Sequence, residues 1–333
     1  MSGFSQRILA IWYEGAPVPW WLRMLQPLYR GLRAMHLATY RVGLSRAARI
    51  AVPVIVVGNL TAGGSGKTPL VIALVDALRQ RGWRPGVVSR GYGGTELGPL
   101  LLDDLPEPAR VGDEPCLIRR RTGAEVAVGR DRARASALLL QRGVNVVIAD
   151  DGLQNPALAR DVEICVIDGQ RRFGNGRLLP AGPLREPLER LEHVAFRVCN
   201  GGVAQPGETP MRLVGDIAVP VERTAATRPL DAFAGQRVHA VAAIGNPERF
   251  FLGLRAHGID VVAHPFPDHH AFVASDFAFA DELPVLMTEK DAVKCVGFAN
   301  ARFWCVPVRA DLPEAFLEAV ATKARDAEGR ILT

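Results

Sequence analysis

A three-layer α/β/α domain with a mainly parallel sheet, followed by a second, smaller α/β domain, is the fold class this sequence predicts. Three observations carry it. The β-branched run Val52 to Val57 leads into a glycine-rich stretch, residues 61–68, and then into the helical pattern Leu70 to Leu78. Strand-like and helix-like runs alternate beyond it, and Val144 to Ala149 is apolar throughout, as expected when both sheet faces are covered. Between Asn200 and Arg228 the alternation lapses into Gly, Pro and short strand-like pieces, then restarts. A length of 333 residues accommodates about two such domains. The boundaries read as an N-terminal segment 1–46, a first domain 47–205, a short β-ribbon linker 206–230, and a second domain 231–333.

The N-terminal segment is aromatic and basic, with Phe4, Trp12, Tyr13, Trp20, Trp21, Tyr29 and Tyr40 among Arg23, Arg30, Arg33, Arg41 and Arg46. At roughly 100° per residue, Leu28, Leu32, Met35, Thr39 and Val42 share one face, and Arg30, Arg33 and Arg41 fall opposite. Trp20 and Trp21, just after Pro19, suit a headgroup-level anchor. Such a helix fits a membrane interface, arginines toward anionic lipid. It equally fits a surface helix packed on the domain with a solvated arginine face. Leu37, on the polar side, fits neither.

In the first domain, Thr61-Ala62-Gly63-Gly64-Ser65-Gly66-Lys67-Thr68 has the strand–loop–helix setting of a nucleotide-triphosphate loop. Its glycines let backbone N–H groups converge on phosphate oxygens, and the helix start adds its positive dipole end. Lys67 suits the β- and γ-phosphates and the Thr68 hydroxyl suits Mg²⁺. The strict pattern has glycine where this chain has Thr61. Pro69 is tolerated in a first helical turn. A turn that merely joins strand to helix is the plain alternative.

Further strands follow at Gly86 to Ser89, Glu125 to Val128, Val144 to Ala149, Val162 to Ile167 and Val194 to Val198. Asp150-Asp151 ends one of them, where a carboxylate normally meets Mg²⁺, directly or through water. Successive side chains alternate in direction, so one of the two acids faces the metal. Asp113-Glu114 precedes the helical run Cys116 to Arg120, a setting that also suits a cap. Arg90, Arg132, Arg185 and Arg171-Arg172 are loop cations suited to phosphate or to solvent. The second domain continues through Val238 to Ile244, Val261-Val262, Val285 to Met287 and Phe303 to Val308, closed by a helix from Pro313 to Lys323. Asp268-His269-His270 lies beyond one of its strands. His269 acquires catalytic meaning only if the two domains face each other across a cleft.

Composition is that of an ordinary globular protein, 48% hydrophobic and 23% charged, with a net charge of +5. So small an excess, without a recognition motif, argues against nucleic acid. Lys67, Lys290, Lys294 and Lys323 are the only lysines among many arginines. The five cysteines show no C-x-x-C pairing and read as buried thiols in a reducing compartment, with no metal cluster. No run of eighteen apolar residues and no signal-peptide pattern occur, which predicts a chain that neither spans a membrane nor leaves the cytoplasm. A monomer is expected.

Taken together, the motifs resemble the tetraacyldisaccharide 4′-kinases, the lipid A 4′-kinase family. The matching segments are Val57-Gly58-Asn59-Leu60-Thr61 through Pro69, Ser89-Arg90-Gly91-Tyr92, Gly112-Asp113-Glu114-Pro115, Asp150-Asp151-Gly152-Leu153-Gln154, Leu178 through Pro187, Phe266-Pro267-Asp268-His269 and Thr288-Glu289-Lys290-Asp291. They span nearly the whole chain in order, and the family's loop carries Ser or Thr at the place of Thr61.

The resemblance implies a P-loop fold of two α/β/α domains. It also implies ATP- and Mg²⁺-dependent phosphorylation of the 4′-hydroxyl of a tetraacylated glucosamine disaccharide 1-phosphate, at the cytoplasmic face of an inner membrane. By motif position it implies Asp113 and His269 as a catalytic dyad, Glu114 and Asp151 near the metal, and Tyr92, Arg132, Gln154 and Arg185 near the sugar and its phosphate. Two rivals remain at this level: a phosphate-loop GTPase or metal-insertion chaperone, and a soluble small-metabolite kinase. Thr288-Glu289-Lys290-Asp291 superficially resembles a guanine-reading Asn-Lys-x-Asp motif, but its lysine is one place late.

Overall fold

The computed structural model describes residues 3–222 and 226–332. The side chains of residues 3–5 and 332 fall outside that description, Phe4 among them. Two helices come first, α1 (Gly3–Tyr13) and α2 (Trp20–Arg41). Ile11 and Leu22 pack with Ala181, and the Trp12 indole donates to the Pro180 carbonyl at 3.1 Å. Leu22 is the only fully buried residue of α2.

The way α2 sits resolves the puzzle of Leu37. Gln26, Tyr29, Arg33, Leu37 and Tyr40 are half-buried and, with Leu22, recur at three- and four-residue spacing, so this stripe meets the domain. Tyr29 donates to the Arg185 carbonyl at 2.9 Å and Arg33 pairs with Glu186 at 2.5 Å. The apolar stripe through Leu28, Leu32 and Met35 points outward and is 54–64% exposed. An ordinary surface helix buries its apolar side; α2 does the reverse.

The first sheet is built from β1 (Val54–Gly58), α3 (Lys67–Gln80), β2 (Pro85–Ser89), β3 (Leu100–Leu101), α4 (Pro108–Val111), α5 (Asp113–Thr122), β4 (Glu125–Val128), α6 (Arg132–Leu140), β5 (Val146–Asp150), β6 (Val162–Asp168), β7 (Phe196–Asn200) and β8 (Glu208–Val214). Its strand pairings are parallel from β8 to β4, with β3 antiparallel at one edge. Ile55 and Val57 face a core shared with α3 and α5, and Val54 and Val56 face a second core on the other side. All five residues of β5 are buried, as its unbroken apolar run requires.

The second sheet takes β9 (Ile217–Pro220), β10 (Arg228–Pro229), β11 (Arg237–Ala242), α7 (Pro247–Ala256), β12 (Asp260–Pro265), β13 (Val285–Thr288), α8 (Glu289–Cys295) and β14 (Phe303–Val306). Its order is β10-β9-β14-β13-β11-β12, and it too is packed on both faces. The chain crosses between the sheets twice, from β8 to β9 and from β14 to β15 (Arg309–Asp311), which pairs antiparallel with β8. Segment 206–230 therefore gives strands to both sheets. The closing helix, α9 (Glu314–Leu332), returns to the first domain, where Phe316, Val320, Ala321 and Ala324 join the core over α3. Cys116, Cys165 and Cys295 are free and buried, and burial pushes each thiol up to about 12. Among the described residues no helix is long and apolar enough to cross a membrane.

Candidate active site

The loop between β1 and α3 is held by its own chain and by β7. The Asn59 amide donates to the Thr61 and Gly63 carbonyls, Ala62 N–H donates to the Pro183 carbonyl, and the Asn200 amide donates to the Ser65 carbonyl at 2.8 Å. Gly66 sits at φ 88°, and a Cβ there would lie 2.1 Å from the Asn200 amide nitrogen, so this position admits only glycine. Lys67 opens α3, with its ammonium 3.1 Å from Asn59 Oδ1 and 3.3 Å from Asp151 Oδ1. Gly63 through Thr68 line a cavity of about 870 Å³ whose far wall is second-domain: Ile244, Gly245, Arg249, Asp268, His269 and Lys290.

At the end of β5 the two acids diverge, as strand alternation predicts. Asp150 is buried, and neither carboxylate oxygen has a hydrogen-bond partner. Burial, then the Glu114 charge, push its carboxyl upward. Asp151 turns into the left-handed region at φ 47° and reaches the cavity. Burial works against its charge, but Lys67, Arg185 and Arg132 outweigh that and hold it at about 2. Such a backbone strain, on the order of 1 kcal/mol, is sustained by the ion pairs that fix the side chain.

Across the cavity, Asp113 and Glu114 begin α5 rather than precede it, after Gly112 at φ 93°. His269, also left-handed at φ 61°, places Nδ1 3.1 Å from both Asp113 oxygens. Tyr92 packs edge-on against its ring at 4.9 Å between centroids. Two ammonium groups that the residue-by-residue reading left without a role complete the cluster. Lys290 lies 3.1 Å from Glu114, 3.4 Å from Asp268 and 3.8 Å from Asp113, and Lys294 lies 3.5 Å from Asp113. Burial raises the Asp113 carboxyl, yet the His269 hydrogen bond and the Lys290 charge bring it down to about 2. Burial lowers His269, and the Asp113 hydrogen bond together with the Asp268 and Asp113 charges more than offsets this, so the imidazole is held above its ordinary value. Burial likewise lowers the Lys290 ammonium, but the surrounding carboxylates leave it raised.

Of the expected site residues, Gly63 to Thr68, Ala62, Asp151, Glu114, Tyr92, Arg185 and His269 share the cavity wall. Asp113 is buried directly behind His269. Arg132 and Gln154 stand behind the wall instead of on it. Arg132 is buried and donates to the Asp151 carbonyl at 2.8 Å; Gln154 donates to the Asn59 carbonyl and to Glu186. Thr61 is also interior, its carbonyl accepting from Asn59. Asn59, Asn200, Lys290 and Lys294 are the residues that sequence reasoning did not place here. A signal existed for two of them: three of the four lysines, Lys67, Lys290 and Lys294, converge on this one cleft.

The family model described as LpxK, tetraacyldisaccharide-1-P 4′-kinase, matches residues 18–325. A tetraacyldisaccharide 4′-kinase of Stenotrophomonas maltophilia is 51% identical over 333 residues, covering 97% of this chain and 98% of its own. One of Xanthomonas euvesicatoria pv. vesicatoria is 53% identical over 329 residues, covering 95% of both chains. Among solved structures, the "apo" form of LpxK from Aquifex aeolicus in complex with ATP aligns with a TM-score of 0.74 at 28% identity, over 93% of this chain and 98% of its own. With a glycine-rich loop opening α3 across a cavity from an acid–histidine pair, and with this likeness along its length, the chain belongs to the tetraacyldisaccharide-1-P 4′-kinase family.

Proposed function

We propose that this chain transfers the γ-phosphoryl group of ATP to the 4′-hydroxyl of a tetraacylated glucosamine disaccharide 1-phosphate, a step in lipid A biosynthesis. The observation that carries the reading is the single cavity that joins the phosphate loop to the Asp113–His269 pair. Phosphoryl transfer requires in-line placement and charge neutralisation more than covalent chemistry. Lys67 and the amides of Gly63 to Thr68 neutralise the β- and γ-phosphates. Asp113 accepts the proton of the sugar hydroxyl, oriented by His269 and held anionic by Lys290 and Lys294. Its low proton affinity makes it a weak base, which suits a loose transition state where proton removal comes late.

The donors present fit Mg²⁺. Among the described residues no three His, Cys, Asp or Glu gather to hold a metal by themselves. Magnesium bound with a nucleotide needs only one or two carboxylates besides phosphate and water. Thr68, Asp151 and Glu114 on the cavity wall would supply that set, with the unpartnered, buried oxygens of Asp150 next to Asp151. When bound, the ion would supply positive charge to neutralise the negative charge developing on the transferred group. Arg185 and Tyr92 face the sugar and its 1-phosphate, while Arg132 and Gln154 fix Asp151 and Glu186 behind them.

The domains divide the labour as 1–46 for membrane contact, 47–205 for catalysis, 206–230 as connection and 231–333 for closing the site. Every residue named comes from one chain, so a monomer suffices. The outward stripe of Leu28, Leu32 and Met35, with Trp20 75% exposed, suits insertion into the anionic cytoplasmic face of the inner membrane. Two experiments test this reading. Incubation with labelled ATP and the acylated disaccharide 1-phosphate should yield a bis-phosphorylated lipid, and GTP should substitute poorly; absence of product refutes it. Replacing Leu28, Leu32 and Met35 together by Gln should lower recovery on anionic liposomes by about tenfold, and equal flotation removes the membrane claim.

A further inference from the structure

A direct contact and a bridging side chain connect the phosphate loop to the second domain. Gly64 and Gly245 approach so closely that a Cβ on Gly245 would lie 2.6 Å from the Gly64 nitrogen. The other contact runs through a side chain. Asn200 ends β7, is 1% exposed, and uses both halves of its amide. Its nitrogen donates to the Ser65 carbonyl at 2.8 Å, and its oxygen accepts from the Arg249 guanidinium of α7 at 2.9 Å. The same nitrogen occupies the space beside Gly66, the residue that turns the loop into α3. Arg249 lines the cavity, and burial lowers its proton affinity, though Asp168 partly restores it.

We infer that Asn200 is a positioning residue that couples docking of the second domain, sensed through Arg249, to the phosphate-binding shape of the loop. An amide is the group that does this: one end donates to a carbonyl, the other accepts from a cation, and an sp² plane holds the two in fixed relation. When α7 moves away, the Asn200 oxygen loses a charged donor and the amide is free to rotate. The Ser65 carbonyl then loses its partner beside the turn at Gly66. When α7 docks, the amide is pinned and the loop with it. This rests on the reading of the loop as the ATP site. It assigns Asn200 and Arg249 no contact with the reacting atoms.

The test is a double-mutant cycle on the full chain, reading the dissociation constant of a non-hydrolysable ATP analogue with Mg²⁺ and the KM for each substrate. Arg249→Met should weaken the analogue by about fivefold and Asn200→Ala by about tenfold, as expected for loss of a charge-assisted and a neutral hydrogen bond. The double variant should be no weaker than Asn200→Ala alone, because Arg249 acts through Asn200. Asn200→Asp keeps an acceptor for Arg249 but sets a carboxylate oxygen against the Ser65 carbonyl, so it should bind worse than Asn200→Ala. Arg249→Lys should recover about half the loss. In all of these the KM for the lipid should stay within about twofold, which a general loss of structure would not allow.

Single effects that multiply in the double variant would overturn the coupling, as would equal ATP affinity in Arg249→Met and the unaltered chain. Should Asn200→Ala not fold, that second comparison decides alone. Failure of the unaltered chain to bind the analogue would instead remove the kinase reading, and this inference with it.

Discussion

Lys67 and Lys290 are ammonium groups on opposite walls of one cleft, and they are built in different ways. The partners of Lys67, Asn59 and Asp151, belong to the first domain and lie at the ends of β1 and β5, neighbours in one sheet. The partners of Lys290 are divided: Glu114 and Asp113 come from α5, Asp268 and His269 from the loop after β12. The first cluster is complete within one rigid sheet. The second exists only while the two sheets face each other. A phosphate grip whose lysine is held within one domain would lose only part of its affinity when the second domain moves away, whereas an acid–histidine pair split between domains exists only with both walls in place. Nucleotide binding and chemistry thereby become separable properties.

Substitutions on the two walls should expose that separation. Lys67→Ala removes charge neutralisation at the transferred group and should lower turnover on the order of 10³-fold. Its melting temperature should move little, because the lysine lines the cavity and Arg185 still pairs Asp151 in its absence. A parallel melt and assay check this, and a loss of stability matching the loss of activity would refute it. Asp113→Asn should cut turnover by about 10² to 10³ while leaving ATP affinity near normal, since the residue lies across the cavity from the loop. Near-normal turnover in that variant would remove Asp113 from the role of base.

The same contrast explains what could be read without a structure. The loop of residues 61–68 is contiguous, so its spacing alone carries its chemistry, even with Thr61 in place of glycine. Asp113 and His269 are 156 residues apart, and no periodicity joins them. Only likeness to a family pointed to the pair. Asn200 lay in a strand end with no motif around it, and its role depends on Arg249, which the fold delivers from another sheet. Periodicity placed the apolar face of α2 correctly. It did not show that the opposite stripe, Leu22 through Tyr40, is the one that meets the protein. A pattern tells which residues share a face, and only packing tells what covers it. Arg132 teaches the converse. Read as a loop cation open to phosphate, it is buried beneath Asp151, where it fixes the carbonyl of a strained residue.

The smallest effect concerns the pH dependence of the split cluster. Despite burial, the Asp113 bond together with the Asp268 and Asp113 charges holds His269 above its ordinary value. A group whose proton is bound more tightly in the folded state stabilises that state fully below its unfolded value, near 6.5, and loses the contribution as pH rises through the folded value. His269→Gln removes this linkage while keeping an amide able to donate to Asp113. The unaltered protein should therefore melt a degree or two higher than His269→Gln at pH 6, and the gap should close toward pH 9. Asp113 acts at the other end of the scale. Its carboxyl, brought to about 2, stabilises the fold above the unfolded value of roughly 4, and that contribution fades as pH falls toward 2. Between pH 4 and 6 both groups contribute in full, so the contact between the two domains should be firmest there. If the melting gap between the unaltered protein and His269→Gln widened above pH 7, the imidazole would not be carrying a proton against Asp113. The histidine would then enter the cluster as a neutral hydrogen-bond partner held only by geometry.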